Sequence, residues 1–414
     1  MTNIIIKLFI KLSKGYHQLM NIVVIGVGYV GLITGLGLSK LHHNVHFLDI
    51  DSEKINKLKK STAPFYEPEL ENYLNDDELK NSIEFTDNYD LINWKEIDII
   101  MICVQTPSLE NDEINLSFLD NVFQEIEKHA NNHSVICIKS TIHPNALKKV
   151  LDSTSFTEQQ IVFNPEFLRE GSAFNDFFNP DRIVIGSIND SNSKKVAELY
   201  KEIDSDVLFT DPISSQLIKY LSNAYLPLRL SFVNEASQII KELGGNLSQT
   251  LEGIGMDKRI GKEYFRPSPG WGGSCFPKDV SEVISISKSK NLDIPLISTI
   301  KESNEQHKIW FSKYIQKLQS ENNYKTIVLI GLAFKENTDD LRHSPTIDLF
   351  KRLEKNDVCI FDINFGEYNQ LPISTNILDD SVIVEMYPLS GDLKIRVADE
   401  IKELKNYKYI KFWE

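Results

Sequence analysis

The sequence predicts an α/β protein in which two doubly wound, Rossmann-like sheet domains are joined by a long central helical connector. An apolar run at residues 21–25 leads directly into a glycine-rich turn and a helical pattern, and residues 326–331 begin a second unit of this kind. Between them, residues 213–244 place apolar side chains at helical spacing. A chain of 414 residues is long enough for two or three domains.

Composition limits the classes of partner. A net charge of −14 argues against nucleic acid or an anionic membrane as the main partner, although a local basic cluster can still hold a phosphorylated small ligand. The four cysteines have no regular spacing, which favours a reducing compartment over a disulfide framework. We therefore expect a cytoplasmic protein.

The chain divides into four segments by pattern. Residues 1–19 are expected to form an extension outside the fold. The apolar run at residues 4–12 is too short to span a membrane and is interrupted by lysines. An interfacial helix is the alternative for that stretch. The predicted units that follow are residues 20–210, 211–320 and 321–414.

The turn after the first strand has the spacing of a dinucleotide fingerprint. Its residues are Gly26, Gly28, Tyr29, Val30 and Gly31. The turn lies between a strand and a helix, and Asp49 ends the next strand about 20 residues later, which is the context that this motif requires. The Asp49 carboxylate would accept hydrogen bonds from a ribose and repel a 2′-phosphate, so NAD is favoured over NADP. A structural turn with incidental glycines is the alternative.

Further strands are predicted at residues 97–104, 135–139, 161–163 and 182–185, and three polar segments follow them. These segments are residues 105–107, 140–144 and 164–171. Ligands of open parallel sheets bind beyond the carboxyl ends of strands, so the three segments are candidates for a site. Each is also explained by helix caps or turns.

The central helical stretch carries a polar pair. Lys219 and Asn223 are four residues apart and share one helix face in a region otherwise suited to burial. One interpretation is that this pair lines a ligand site, and the other is that it is exposed to solvent. The apolar stripe of this helix is also long enough to form a dimer surface.

A single cysteine, Cys275, lies in the glycine-rich stretch of residues 270–279. Cys103, Cys137 and Cys359 fall instead inside strand-like runs, and Cys103 and Cys137 are expected to be buried apolar residues. Lys278 could favour the thiolate of Cys275, which would make it a nucleophile. A glycine-rich turn that happens to contain a cysteine is the alternative.

The second sheet domain is predicted from a strand at residues 326–331, a helix ending near residue 353 and a strand at residues 358–362. Short strands are expected at residues 381–386 and 409–412.

The ordered motifs resemble the UDP-glucose/GDP-mannose dehydrogenase family between about residues 21 and 362. They begin at Gly26, Lys139, Asn164, Asp257, Gly270 and Ala333, with the Lys219/Asn223 helix among them. The resemblance implies an NAD-binding domain, a helical connector with the dimer contact and a C-terminal UDP-sugar-binding domain. The last portion of that domain is shorter here than in the family.

The resemblance implies a two-step NAD-dependent oxidation at C6 of UDP-glucose, giving UDP-glucuronate through a cysteine thiohemiacetal and thioester. Another nucleotide sugar, such as a UDP-N-acetylhexosamine or GDP-mannose, is the nearest competitor. A one-step 2-hydroxyacid-type dehydrogenase and a non-catalytic nucleotide-sugar-binding homologue are further alternatives.

Matched residue by residue, the resemblance also implies roles. Cys275 is the nucleophile, Lys219 and Asn223 stabilise the oxyanion, Asp279 with Lys219 holds water, and Glu170 transfers a proton next to Thr141. The implied NAD contacts are Asp49, Lys54, Thr106, Thr141, Glu170, Lys278 and Arg342, in addition to the glycine-rich turn. The implied substrate contacts are Glu166, Phe167, Leu168, Arg169, Lys219, Asn223, Tyr264, Gly272 and Lys335. Arg259 is expected to reach the substrate of a neighbouring subunit, which implies at least a homodimer, and no metal is implied.

Overall fold

The computed structural model describes residues 19–107, 115–131, 133–143, 146–365, 371–374 and 376–414. Most of the expected N-terminal extension, residues 1–18, lies outside the described residues, as does Pro144 of the segment after the predicted strand at residues 135–139.

The described N-terminal part forms an eight-stranded sheet in the order β3-β2-β1-β4-β5-β6-β7-β8. Its strands are β1 Asn21–Ile25, β2 Asn44–Leu48, β3 Ile83–Thr86, β4 Ile99–Ile102, β5 Val135–Ile138, β6 Ile161–Phe163, β7 Ile183–Gly186 and β8 Val207–Thr210. The order reverses between β1 and β4, which is the arrangement of dinucleotide-binding sheets. This switch point is where a ligand crevice is expected.

Helices cover both faces of this sheet, so its central strands are apolar on both sides. The helices are α1 Tyr29–Lys40, α2 Ser52–Lys59, α3 Leu70–Asn75, α4 Ser117–His129, α5 Ala146–Leu151, α6 Ala173–Phe178 and α7 Asp190–Glu198. On one face Phe47, Leu32 and Phe174 join the main core, and on the other Phe123 and Ile100 lie in a second buried cluster.

Two strands of this sheet were not expected from sequence. β3 and β8 form its outer edges, and β8 has half-buried and exposed residues in place of the buried apolar run that marks a central strand. The predicted doubly wound sheet also contains one antiparallel step, between β6 and β7. The expected strand at residues 97–104 is shorter, because regular pairing ends at Ile102.

The connector begins with α8 Pro212–Glu242, a helix of 31 residues that contains Pro227. The Asp211 side chain caps it by accepting a hydrogen bond from the Ser214 N–H. The helices that follow are α9 Leu247–Gly255, α10 Phe276–Ser289, α11 Pro295–Ser298 and α12 Ile300–Glu321. α10 and α12 pack against α8, so the connector is a helical layer between the sheets.

The C-terminal part forms a parallel sheet in the order β11-β10-β9-β12-β13. Its strands are β9 Thr326–Ile330, β10 Val358–Phe361, β11 Ile373–Ser374, β12 Ser381–Glu385 and β13 Tyr407–Lys411, with helices α13 Pro345–Arg352 and α14 Gly391–Lys402. This order repeats the first five positions of the larger sheet. The predicted pair of doubly wound sheets joined by a long helix is therefore confirmed.

Among the described helices, none has the combined length and apolarity needed to cross a bilayer.

Candidate active site

The glycine-rich turn leaves room for a dinucleotide at the start of α1. Gly26 has φ +92°, and a Cβ there would lie 2.9 Å from the Cys103 carbonyl carbon. A Cβ at Gly31 would lie 2.0 Å from the Gly26 carbonyl oxygen, so this glycine lets the helix pack on the turn. Gly28, the N-cap of α1, faces open space instead. The free N–H groups of the first helical turn, where Tyr29 and Val30 lie, thus face space that a pyrophosphate can occupy.

Asp49 lies beside this turn, directly after β2. Its Oδ2 accepts hydrogen bonds from the Val27 N–H at 2.7 Å and from Lys54 Nζ at 2.9 Å, and its Oδ1 accepts one from the Asp51 N–H. The carboxylate therefore stands where an adenosine ribose would sit, and Lys54 lies against it. The open cradle and this carboxylate fit NAD.

The ends of β4 and β5 meet, as the sequence predicts. Thr106 Oγ1 donates a hydrogen bond of 2.8 Å to the Thr141 carbonyl oxygen, and Ser140 Oγ donates one of 2.6 Å to the Val104 carbonyl oxygen. These side chains hold the two loops together beside the β1–β4 switch point of the sheet. Thr106 is buried, whereas Thr141 is half-buried.

Lys219 is buried on α8 and joins the connector to the loop after β6. Its Nζ donates to the Glu166 carbonyl oxygen at 2.7 Å and to Glu166 Oε1 at 2.8 Å. Burial by itself would lower the pKa of Lys219, but the charges of Glu166, Cys275 and Asp279 outweigh it and raise that pKa. Lys219 is therefore a fixed cation in the site, and solvent exposure, the alternative for the polar pair, is wrong.

Cys275 is the N-cap residue of α10, and its side chain is open to solvent although protein surrounds it on most sides. This surrounding raises the pKa of the thiol, and the Lys219 charge opposes the rise. The helix N-terminus also favours a thiolate. We expected Lys278 to supply the positive charge, but Lys278 is paired with Asp279, and Lys219 is the cation that acts on Cys275. Cys103 and Cys137 are buried, as expected.

Asp279 is buried one helical turn after Cys275. It accepts hydrogen bonds from Asn223 Nδ2 at 2.6 Å and from Lys278 Nζ at 2.7 Å. The resemblance implies that Asp279 and Lys219 together hold a water. In the structure Lys219 bonds to Glu166, and the charges of Lys219 and Asp279 act on one another. Lys278, expected to contact NAD, is likewise engaged with Asp279.

The glycines of the cysteine loop let this loop pack closely against the rest of the chain. A Cβ at Gly272 would lie 1.9 Å from the His343 carbonyl oxygen, and the Gly273 N–H donates to the Arg342 carbonyl oxygen at 3.0 Å. On the other side, the Asn304 amide exchanges two hydrogen bonds of 3.0 Å with the backbone of Trp271. The loop is thus held between α12 and the C-terminal domain, which fixes Cys275 at their junction.

Glu170 faces the C-terminal domain. Its Oε2 accepts a hydrogen bond of 3.0 Å from Thr338 Oγ1, and its Oε1 lies 3.7 Å from an Arg342 nitrogen. Burial, followed by the nearby charge of Asp340, raises the pKa of Glu170 to about 7, against the opposing effects of Thr338 and Lys335. A carboxyl with that pKa can both accept and donate a proton near neutral pH.

The residues between Glu166 and Glu170 are held in different ways. The Phe167 ring lies 4.0 Å from the Arg182 guanidinium carbon and 5.4 Å from Lys219 Nζ. The Leu168 N–H donates to Glu166 Oε2 at 2.7 Å. Arg169 is engaged with Asp176 through both its side chain and its N–H, so its guanidinium has a structural partner.

Three of the residues predicted to contact substrate lie in different environments. Lys335 is half-buried, and burial lowers its pKa while Glu170 and Glu67 oppose that shift. Tyr264 is half-buried with φ +51° near the Arg169 charge. Arg259 is exposed, and its polar contacts in the described chain are all with Asp257. It is therefore not brought into the site of its own chain.

Sequence reasoning missed several polar residues that shape the site. Thr338 and Asp340 set the environment of Glu170, and Asn304 holds the cysteine loop. Glu67, whose contacts are given below, is buried beside the glycine-rich turn. A signal for Glu67 was present in the sequence, since it is a carboxylate between two aromatic residues and a proline. The described residues contain no cluster of three or more His, Cys, Asp or Glu side chains placed to hold a metal ion.

Three family models match consecutive parts of the chain. They are the NAD binding domain of the UDP-glucose/GDP-mannose dehydrogenase family at residues 20–204, its central domain at residues 213–306 and its UDP binding domain at residues 328–377.

Relatives and solved structures point to the same family as these three models. The chain is 37% identical over 348 residues to a UDP-glucose 6-dehydrogenase of Rickettsia felis, covering 82% of this chain and 77% of the relative. It is 38% identical over 361 residues to one of Bacillus subtilis, covering 86% and 80%. A UDP-glucose dehydrogenase structure from Pyrobaculum islandicum matches with a TM-score of 0.78 and 26% identity, covering 97% of this chain and 99% of that one.

A UDP-D-ManNAc dehydrogenase structure from Pyrococcus horikoshii shares the fold, with a TM-score of 0.77 and 22% identity over 94% of this chain and 99% of that one. The matches cover the glycine-rich turn, the connector and the C-terminal sheet, and they bear out the family resemblance of the sequence motifs. The chain belongs to the UDP-glucose/GDP-mannose dehydrogenase family.

Proposed function

We propose that this enzyme oxidises the C6 alcohol of UDP-glucose to the carboxylate of UDP-glucuronate, with NAD as oxidant. The observation that supports this best is the placement of Cys275 within the field of the buried Lys219, next to the Asn223–Asp279 pair. A thiol, a fixed cation and an amide are the groups that a covalent aldehyde oxidation needs. The relatives named UDP-glucose 6-dehydrogenase make UDP-glucose the first candidate substrate.

The turn at Gly26, Gly28 and Gly31 and the Asp49 carboxylate would hold the dinucleotide, with Lys54, Thr106 and Arg342 as further contacts. Bound NAD supplies the hydride acceptor for both oxidations. Because Gly28 leaves the start of α1 open, the helix N-terminus can neutralise part of the pyrophosphate charge. Lys278 is a weaker candidate contact, because it is paired with Asp279.

In the proposed mechanism, the C6 alcohol first loses a proton and a hydride and becomes an aldehyde. Cys275 Sγ then adds to the C6 aldehyde carbon and forms a thiohemiacetal. The negative charge that develops on the aldehyde oxygen is stabilised by Lys219 and Asn223. Oxidation of this adduct gives a thioester, so the aldehyde stays attached to the enzyme between the two oxidations. Lys219 also favours the Cys275 thiolate, both as nucleophile and as the group that leaves at the end.

Hydrolysis of the thioester requires an activated water. Glu170, with a pKa raised to about 7, accepts the proton of that water, and Asp279 and Thr141 help to position it. The acyl–sulfur bond breaks, and Cys275 is regenerated. The substrate would be held by the Glu166–Arg169 segment, Tyr264, Gly272 and Lys335.

We also propose the remaining organisation of the enzyme. Residues 20–210, 211–320 and 321–414 would be the NAD-binding, connector and UDP-sugar-binding domains, respectively. The exposed Arg259 and the exposed apolar residues Leu221, Tyr225 and Phe232 on α8 support a homodimer in which Arg259 reaches the partner's substrate. The four free cysteines are compatible with our prediction of a cytoplasmic location.

A sugar panel tests the substrate. NADH formation is measured with UDP-glucose, UDP-N-acetylhexosamines and GDP-mannose, and NADH is counted per sugar consumed. We expect turnover with UDP-glucose and a ratio of about two. Preference for another nucleotide sugar would identify that sugar, and not UDP-glucose, as the substrate. A ratio of one would support a one-step dehydrogenase, and binding without turnover would support a non-catalytic homologue.

A further inference from the structure

We propose that Glu67 is a positioning residue that couples the dinucleotide turn to residues 166–171, which we name the substrate-binding segment. The inference rests on the proposed function, because it assigns the two ends of the coupling to NAD and to the nucleotide sugar. Residues 65–68, which we name the bridging segment, contribute none of the groups to the chemistry described above.

The Glu67 carboxylate bonds to both ends at once. Its Oε2 accepts hydrogen bonds from the Tyr29 hydroxyl at 2.8 Å and from the Gly171 N–H at 2.7 Å, and its Oε1 accepts one from the Ala173 N–H at 2.8 Å. Glu67 is only 4% exposed, so these bonds have little competition from water. One oxygen atom thus connects the first turn of α1 to the end of the substrate-binding segment.

Two further residues of the bridging segment contact α1 and the C-terminal domain. The Phe65 ring lies 5.3 Å from the ring of Tyr29, and the Tyr66 N–H donates to Asp339 Oδ2 at 3.0 Å. A Cβ at Gly171, which has φ +83°, would lie 2.7 Å from the Asn337 carbonyl oxygen. The bridging segment therefore contacts α1, the substrate-binding segment and the C-terminal domain.

The two ends have defined chemical tasks. Tyr29 lies one residue after Gly28, where the pyrophosphate would approach. Gly171 follows Glu170, the proposed proton acceptor, and the same segment begins with Glu166, which is bonded to Lys219. A ligand that fixes α1 also fixes the Tyr29 hydroxyl, and through the shared Glu67 oxygen it favours one position of Gly171. By linkage, the sugar must favour dinucleotide binding by the same factor.

The coupling is measured without turnover, because NADH cannot accept a hydride. The dissociation constant of UDP-glucose is determined by calorimetry with and without saturating NADH, for the wild type, Glu67→Gln and Glu69→Gln. Glu69 is exposed and two residues away, so it controls for the loss of one charge. We expect NADH to tighten UDP-glucose binding at least about fivefold in the wild type and in Glu69→Gln. In Glu67→Gln, whose amide cannot accept all three hydrogen bonds, the factor should fall below about twofold.

A second pair of variants covers the case in which Glu67→Gln fails to fold, which thermal melting would show. Tyr29→Phe removes one of the three bonds to Glu67, together with the 3.4 Å hydrogen bond from the Tyr29 hydroxyl to the Arg169 carbonyl oxygen. It keeps the bonds from the Gly171 and Ala173 N–H groups, and it should lower the factor. Tyr73→Phe is the matched control, since the Tyr73 ring stacks on Phe174 and its hydroxyl makes no hydrogen bond within the described chain. An unchanged factor in folded Glu67→Gln or in Tyr29→Phe, or a wild-type factor of one, would overturn the coupling alone. A wild type that binds neither ligand would overturn the proposed function and the coupling with it.

Discussion

Lys219 Nζ lies 2.8 Å from Glu166 Oε1 and 2.7 Å from the Glu166 carbonyl oxygen, and both side chains are less than one-tenth exposed. A cation on the connector is thereby fixed against the loop that follows β6. Its charge is the main effect that opposes the rise in the pKa of the Cys275 thiol caused by burial.

Replacing Cys275 by serine should abolish acid formation. The serine hydroxyl is far less ionised than a thiol and cannot form the thioester, so we expect UDP-glucuronate formation to fall about 10³-fold or more. Product is quantified by chromatography. Cys359→Ser serves as the control, because Cys359 lies on β10 outside the proposed site. Full acid formation by Cys275→Ser would favour the one-step mechanism.

Replacing Lys219 by methionine should make Cys275 less reactive at neutral pH. Without the cation the pKa of the thiol rises, and we expect the pH profile of Cys275 alkylation to move to higher pH. Labelling at Cys275 is measured by mass spectrometry of its peptide. Lys278→Met is the matched control and should move the profile by less than half as much, since Lys278 is paired with Asp279.

Because Lys219→Met leaves the Glu166 carboxylate buried without its partner, folding must be checked. The double variant Lys219→Met/Glu166→Gln removes both charges. If it is folded, its pH profile of Cys275 alkylation should also move to higher pH. Equal profiles for Lys219→Met and the wild type would show that another group sets the reactivity of Cys275.

The rate of thioester hydrolysis should rise with pH through about 7. The pKa of Glu170 is raised to about 7, and only the ionised carboxylate accepts a proton, so activity is lost as the pH falls below that value. Glu170→Gln should slow turnover about 10²-fold and remove this limb of the pH profile. The exposed Glu263→Gln is the control. A limb near pH 7 that persists in Glu170→Gln would assign the proton transfer to another residue.

Gly272→Ala should disturb the cysteine loop. Its Cβ would lie 1.9 Å from the His343 carbonyl oxygen, so the loop or the C-terminal domain must shift, at a cost of about 1–3 kcal/mol in the free energy of unfolding. Activity should fall as well, because Cys275 is three residues away. Gly253→Ala on α9 meets open space and should stabilise the protein by up to about 1 kcal/mol. Urea denaturation and steady-state kinetics measure the two effects.

Much of the fold was accessible from sequence because its signals are local. The glycine turn before α1, the apolar run of β1 and the polar pair on α8 each lie within a few dozen residues, and the structure confirms all three. The edge strands β3 and β8 were missed, since their residues are partly exposed and resemble loops. Their place in the sheet depends on pairing with neighbours, which no local pattern reports.

Residue types and their spacing by themselves predicted a dinucleotide turn at Gly26, singled out Cys275 as the cysteine in a glycine-rich loop, and placed Lys219 and Asn223 on one helix face. Tertiary structure decided which charges act on one another. Lys219 pairs with Glu166 across 53 positions, Asn223 with Asp279 across 56, and Thr338 with Glu170 across 168. Such partners depend on how the sheets and the connector pack, and burial then sets the strength of each charge. That is why Lys219, and not the neighbouring Lys278, became the cation of the cysteine site.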